Sequence, residues 1–339
     1  MRVRWKGPLA LALSIAIGLG ILAAILYYVG WRRIIREILA LGWLGFLTLA
    51  VNFLLTFFFW ALTWMIILRS YGINPPWRGI FRALLSGYTV SYLTPSMYFG
   101  GEPVRVYILA KEVGLPQPRL YATVLVSKLL EAVSLILFVL LGVFYALFTD
   151  HLPPIQRGSL LYGTAFLGFW VVLGILNFTL NLYLGTRLLQ WLRRLLPWKG
   201  ILGKATEKVA EVEREIHQAF RSFQLKFTML AFLASSIANL LIYLRPQIFF
   251  YFAQGRVFSF ASLSLLYALS VVLATLFWIT PGGIGIAEGG RIGIFALVGI
   301  GKAGAVAFSF ALKAVELIFV VLGLSLLMEF GLFRWRRRR

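Results

Sequence analysis

Apolar residues run through this chain in long blocks, separated by short polar stretches. Six blocks are long enough to cross a bilayer as helices of about 20 residues: 8–29, 43–68, 120–148, 158–184, 227–252 and 303–329. Two more, 79–110 and 262–299, are interrupted near their middles by Thr-Pro turns rich in glycine. Proline removes a helix hydrogen bond, and glycine tolerates non-helical backbone. Such a break is stable at membrane depth only where protein or a watery cavity surrounds it. Each interrupted block is therefore expected to be a re-entrant helical hairpin, with a pair of short spanning helices as the alternative. A different period runs through Ala205, Val209, Val212, Ile216, Ala219 and Phe223, which recur at spacings of four and three among Lys, Glu and Arg. It predicts a cytoplasmic amphipathic helix over 201–223, lying on the inner membrane surface or against loops.

Composition agrees with the pattern. The chain is 60% hydrophobic and 13% charged, with a mean hydropathy of +0.87. The expected fold class is an all-α polytopic membrane protein. The net charge of +21 would suit nucleic acid if it were spread over one face. Instead the basic residues gather at span ends and termini, as in MRVRWK and RWRRRR, which is how membrane proteins set orientation. With both termini cytoplasmic in the cell membrane, 22 Lys and Arg fall inside and 6 outside. Arg32, Arg33 and Arg36 fit that arrangement worst. The stretch 8–29 is too long for the apolar part of a signal peptide and reads as a retained first helix. Tyr27, Tyr28, Trp31 and Trp43, near span ends, read as interface anchors.

Several chemistries are excluded. There is no cysteine, His151 and His217 are the only histidines, and Asp150 is the only aspartate. Thiol catalysis, cysteine metal sites and an Asp-x-Asp metal clamp are therefore absent, as is the Gly-x-x-x-x-Gly-Lys-Ser/Thr phosphate loop. No cofactor, metal or enzymatic activity is expected.

The two turns are related. TPSMYFGGEPVR (94–105) and TPGGIGIAEGGR (280–291) each place a Glu seven residues after the proline and an Arg three further on. Thr94, Pro95, Gly100 and Gly101 build the first turn, and Thr280, Pro281, Gly282, Gly283 and Gly285 the second. A second block, 113–131, aligns without gaps to 298–316, both starting Val-Gly and ending Lys-x-x-Glu. The repeat thus matches Glu102 with Glu288, Arg105 with Arg291, Lys128 with Lys313, and Glu131 with Glu316. Of eleven glutamates, these four alone sit inside apolar stretches. Three crossings precede the midpoint and three follow, so repeat one (1–150) and repeat two (157–332) are expected to be inserted in opposite senses, a recurring transporter plan.

An unpaired charge at mid-bilayer costs at least ~2.5–3.5 kcal/mol, so these eight groups should face inward. Spacing of three brings Glu102 beside Arg105 and Lys128 beside Glu131. One reading is a set of ion pairs that only clamps hairpins to helices. The other is a polar site in which Arg105, Arg291, Lys128 and Lys313 hold a phosphate while Glu102, Glu131, Glu288 and Glu316 balance it, take a cationic headgroup or bind protons. Arg245, before Pro246 in the fifth span, is a fifth odd cation without a repeat partner. It either snorkels outward or joins the cavity.

Taken together, Thr-Pro…Gly-Glu-x-x-Arg, Lys-x-x-Glu and Thr-Pro-Gly-Gly-Ile-Gly-x-x-Glu resemble the flippase-like transmembrane family named for the membrane region of lysylphosphatidylglycerol synthases. The resemblance covers nearly the whole chain. In the bifunctional synthases that region is implicated in moving aminoacylated lipid between leaflets, while a soluble domain performs aminoacyl transfer. Here the chain ends at RWRRRR, so a standalone member without that domain is expected. Related regions occur in archaeal proteins of polyprenol-linked glycosylation. The resemblance implies lipid handling, and carries over Glu102, Arg105, Glu288 and Arg291. The expected function is translocation of a phospholipid or polyprenyl-phosphate-linked lipid between leaflets. The expected partners are anionic or phosphate-bearing membrane lipids and a lipid-modifying enzyme, and not nucleic acid. The alternatives are an integral-membrane transferase using a lipid-linked substrate and an assembly subunit.

Overall fold

The computed structural model describes residues 8–94, 100–149, 154–180, 182–195, 203, 206–207, 209–211, 213–214, 225–276 and 280–329. Pro95, both charged termini and most of 201–223 lie outside the described residues. Of the expected amphipathic helix, Gly203, Thr206, Glu207, Val209, Ala210, Glu211, Glu213 and Arg214 are described and helical.

Among the described residues the fold is all helical. The helices are α1 (Pro8–Val29), α2 (Trp31–Ser70), α3 (Trp77–Leu93), α4 (Glu102–Val113), α5 (Gln117–Thr149), α6 (Pro154–Thr179), α7 (Leu184–Leu195), α8 (Leu225–Tyr243), α9 (Arg245–Gln254), α10 (Phe260–Leu276), α11 (Ile286–Ala296) and α12 (Lys302–Glu329). Four stretches among the described residues are both long and apolar enough to cross a membrane: Trp31–Ser70, Gln117–Leu141, Lys226–Gln254 and Lys302–Glu329. The other two expected spans are helices as well, α1 of 22 residues and α6 of 26.

Several boundaries differ from the sequence reading, each for a local reason. The second span starts at Trp31, not 43, because Gly42 (φ 66°, ψ 173°) kinks the helix without ending it. Arg32, Arg33 and Arg36 therefore ride on a helical extension. The fifth span divides into α8 and α9 at Leu244, ahead of Arg245 and Pro246, where the proline can donate no helix hydrogen bond. The fourth stops at Thr179, and Asn177 Oδ1 accepts the N–H of Leu184 at the start of α7. That basic amphipathic helix was not foreseen as an element.

Each interrupted block is a helix pair. α3 and α4 pack on one another, as do α10 and α11. α4 has 12 residues and α11 has 11, roughly 18 and 16 Å of helix, too short to cross a hydrocarbon core of about 30 Å. α2 is the central post, touching α3, α5, α8, α9 and α12. The halves interlock reciprocally: α12 packs on α2 and α3, while α5 packs on α8 and α10.

Polar groups sit at these crossings. Trp64 Nε1 donates to Thr123 Oγ1 (3.0 Å), joining α2 to α5. Asn239 on α8 donates to the Glu131 carbonyl (2.9 Å) and accepts from the Tyr267 hydroxyl (3.0 Å). Tyr27, Tyr28, Trp31 and Trp43 are all exposed.

Candidate functional site: a charged cavity between the broken helices

The two turns achieve the same break by different means. In the second, Gly282, Gly283 and Gly285 adopt φ of 59°, 60° and 81°, which L side chains rarely adopt. Residues Pro281–Gly283 form a single 3₁₀ turn. Thr280 Oγ1 donates to the Ile284 carbonyl (3.1 Å). In the first, Thr94 is extended and its hydroxyl donates back to Val90 (2.7 Å). Gly100 and Gly101 form the turn that leads into α4, and the Gly101 N–H donates to Ser91 Oγ (2.8 Å). Gly101 has an ordinary φ of −94°; what requires glycine there is closeness, since a Cβ would fall on the Gly87 carbonyl oxygen. The two breaks also meet: a Cβ on Gly282 would lie 3.0 Å from Tyr92 Cζ, near the end of α3.

Between them lies a cavity of about 360 Å³. Seven of the nine singled-out charges line it: Glu102, Arg105, Lys128, Glu131, Arg245, Arg291 and Glu316. The remaining two, Glu288 and Lys313, form an ion pair with each other. Arg245 is 8% exposed and part of the cavity wall, so it does not snorkel to the outer surface.

The pairings correct the spacing argument. Lys128 Nζ does bind Glu131 Oε2 at 2.9 Å. Glu102 and Arg105, however, form no ion pair among the described residues. The Arg105 guanidinium lies 3.8 Å from the Trp64 ring centroid. Its Nε and one terminal nitrogen are buried without a hydrogen-bond partner, as is Glu102 Oε2. A neighbour on the same helix contributes only about 0.2–0.5 kcal/mol, whereas a desolvated cation–π contact reaches about 2 kcal/mol. In the second half, the Glu288 carboxylate accepts the Gly285 N–H (2.7 Å), capping α11. It also takes Lys313, so neither Glu288 with Arg291 nor Lys313 with Glu316 is an ion pair among the described residues. Arg291 faces Phe308, 5.5 Å from its ring centroid.

Sequence reasoning missed the neutral wall. Phe53, Phe57 and Trp60 on α2, Tyr88 on α3 and Tyr267 on α10 line the cavity. Phe53, Phe57, Trp60 and Trp64 recur at spacings of four, three and four, which places them on one face of α2. That aromatic stripe was the available signal. Asn52 and Thr56, on the same helix, hold Arg245: its Nε donates to Asn52 Oδ1 (3.1 Å) and a terminal nitrogen to Thr56 Oγ1 (3.2 Å). Its guanidinium carbon sits 3.6 Å from the Phe53 ring centroid.

Fold and site define a multi-pass helical membrane protein built around an internal charged cavity. The chain belongs to the family described as the lysylphosphatidylglycerol synthase TM region, whose profile matches residues 11–323. A UPF0104 membrane protein of Pyrococcus horikoshii is 25% identical over 305 residues, covering 87% of this chain and 89% of that protein. Another, of Methanothermobacter thermautotrophicus, is 27% identical over 307 residues, covering 85% and 86%. A third, of Methanocaldococcus jannaschii, is 27% identical over 126 residues, covering 37% and 38%. No solved structure matches the chain.

Proposed function

We infer that this protein is a lipid translocator of the cell membrane. In this reading both termini are cytoplasmic, α3–α4 and α10–α11 are re-entrant hairpins of two oppositely inserted repeats, and the headgroup of a phospholipid or polyprenyl-phosphate-linked lipid crosses through the cavity while its tails stay in the bilayer. It is a carrier without cofactor or catalytic step, supplied by or supplying a lipid-modifying enzyme. The shortness of α4 and α11, the reciprocal packing of the halves and the meeting of the two turns all support this arrangement.

The observation that carries the reading is the unlike pairing of matched residues. Lys128 binds Glu131 on its own helix, whereas its counterpart Lys313 reaches across to Glu288 on the broken pair. One hairpin is held by its lysine and the other is not. Exchanging the two states, so that Lys128 binds Glu102 and Lys313 binds Glu316, keeps the number of ion pairs unchanged. It would turn the cavity toward the opposite face at little net free energy. That is the requirement for a two-state carrier whose ligand biases the equilibrium.

Leaflet exchange of fluorescent phospholipids and a short-chain polyprenyl phosphate in proteoliposomes tests it. Exchange above protein-free vesicles, lowered at least about tenfold by Glu102→Gln, is the expected result, equivalent to the loss of about 1.4 kcal/mol of coupling. Absence of exchange for every lipid, or a new lipid product on chromatography, would overturn it, the latter in favour of a transferase.

A further inference from the structure

The four matched pairs of charges cancel, four acids against four bases, and Arg245 is left over. Its matching place in the first half is Phe59. The site as a whole therefore carries one formal positive charge in excess. Within the cavity wall the balance is the same, with Arg105, Lys128, Arg245 and Arg291 against Glu102, Glu131 and Glu316.

The surplus is local. A smaller recess of about 100 Å³ adjoins the main cavity and shares six of its lining residues, among them Arg245, Tyr267, Ser270, Arg291 and Glu316. Here two guanidiniums face one carboxylate. The hydrogen bonds that Arg245 makes go to neutral partners, Asn52 and Thr56. Asn52 is itself oriented by its Nδ2, which donates to the Leu241 carbonyl (2.9 Å). The guanidinium is thus held in place, and among the described residues it forms no ion pair. A cation fixed by neutral groups in a largely apolar wall favours an anion, because burial without one is costly.

We propose that the recess between Arg245 and Arg291 is the subsite for the phosphodiester of a lipid headgroup that carries a single negative charge, its uncharged polar remainder lying in the main cavity. That the ligand is a lipid rests on the translocator reading; that it is a monoanionic phosphodiester rests on the charge balance. One negative charge cancels the surplus. A zwitterionic headgroup leaves it uncancelled, and a phosphomonoester, at about −1.5 to −2 near neutral pH, overshoots it. The guanidinium fork suits two oxygens of one phosphate.

The test is equilibrium binding to the full-length protein in an uncharged detergent. The probes are dihexanoyl phosphatidylglycerol, dihexanoyl phosphatidylcholine, dihexanoyl phosphatidic acid and the tail-free diester glycerophosphoglycerol. The phosphatidylglycerol should bind on the order of tenfold more tightly than the other two lipids, the size of one charge-assisted hydrogen bond. Arg245→Gln should remove that preference, and Arg245→Lys should keep part of it. Asn52→Leu, which unseats the guanidinium without removing it, provides a second variant should Arg245→Gln fail to fold, and should also weaken the preference. Equal binding of the diester and zwitterionic lipids, or a preference unchanged in Arg245→Gln, would overturn the subsite. Glycerophosphoglycerol binding as tightly as the lipid would overturn the lipid as its source. Binding is read without leaflet exchange, so preference without exchange removes the translocator and keeps the subsite, and exchange without preference does the reverse.

Discussion

Gly101 and Gly87 face each other where α3 and α4 cross, with so little room that a methyl group on Gly101 would strike a backbone carbonyl rather than a side chain that can turn away. Overpacking of this kind typically costs about 1–3 kcal/mol. Gly101→Ala should therefore lower the melting temperature in detergent well below that of Gly20→Ala, whose added Cβ has nothing within 4 Å; equal melting temperatures would contradict the close approach. The sequence pointed to Gly101 as a turn glycine, but Gly87 stands inside an apolar helix with nothing local to mark it. Charges followed the same rule. That Glu102, Glu131, Glu288 and Glu316 were special could be read from their place in apolar runs. Spacing also gave the Lys128–Glu131 pair, but not the other contacts, because spacing along one helix says nothing of Trp64 opposite Arg105 or of Lys313 opposite Glu288.

Helix positions were legible where hydrophobic length or a proline marked them, and poorly legible where a polar side chain sets an end. α7 is the clearest case. Its Leu184, Leu188, Trp191 and Leu195 recur on one face, with Arg187, Arg193 and Arg194 between them, yet its start depends on Glu213. That buried carboxylate accepts the N–H groups of Gly185 (2.9 Å) and Thr186 (3.2 Å) and the Thr186 hydroxyl (2.6 Å). A carboxylate on a helix N-terminus satisfies otherwise orphaned donors and complements the helix dipole, together about 1–2 kcal/mol. Glu213→Ala should raise amide hydrogen exchange across 184–195 on the order of tenfold while leaving α2 unchanged. Unchanged protection of α7 would mean that Glu213 does not hold it. Because three of the acceptor contacts come from a residue outside α7, no reading of 184–195 alone could find them.

At the scale of the whole molecule, the sequence marks two halves through two short matched blocks, 94–105 with 280–291 and 113–131 with 298–316. Each half lends its long last helix, α5 or α12, to the broken pair of the other half, so neither cavity wall is complete without both. What the repeat could not foretell is its own breaking: the same lysine pairs within its helix in one half and across to the hairpin in the other. If that asymmetry is how the molecule works, and not only how it packs, neutralising the clamp without destabilising it should stop transport. The double variant Glu288→Gln/Lys313→Met removes both charges together and so avoids the ~3–5 kcal/mol cost of leaving one buried charge alone. The decisive measurement is lipid exchange between leaflets of proteoliposomes, wild type against this double variant, at matched thermal stability. The account predicts that the wild type exchanges lipid and that the double variant does so at least about tenfold more slowly. Exchange at the wild-type rate in the double variant, or none in the wild type, would contradict it.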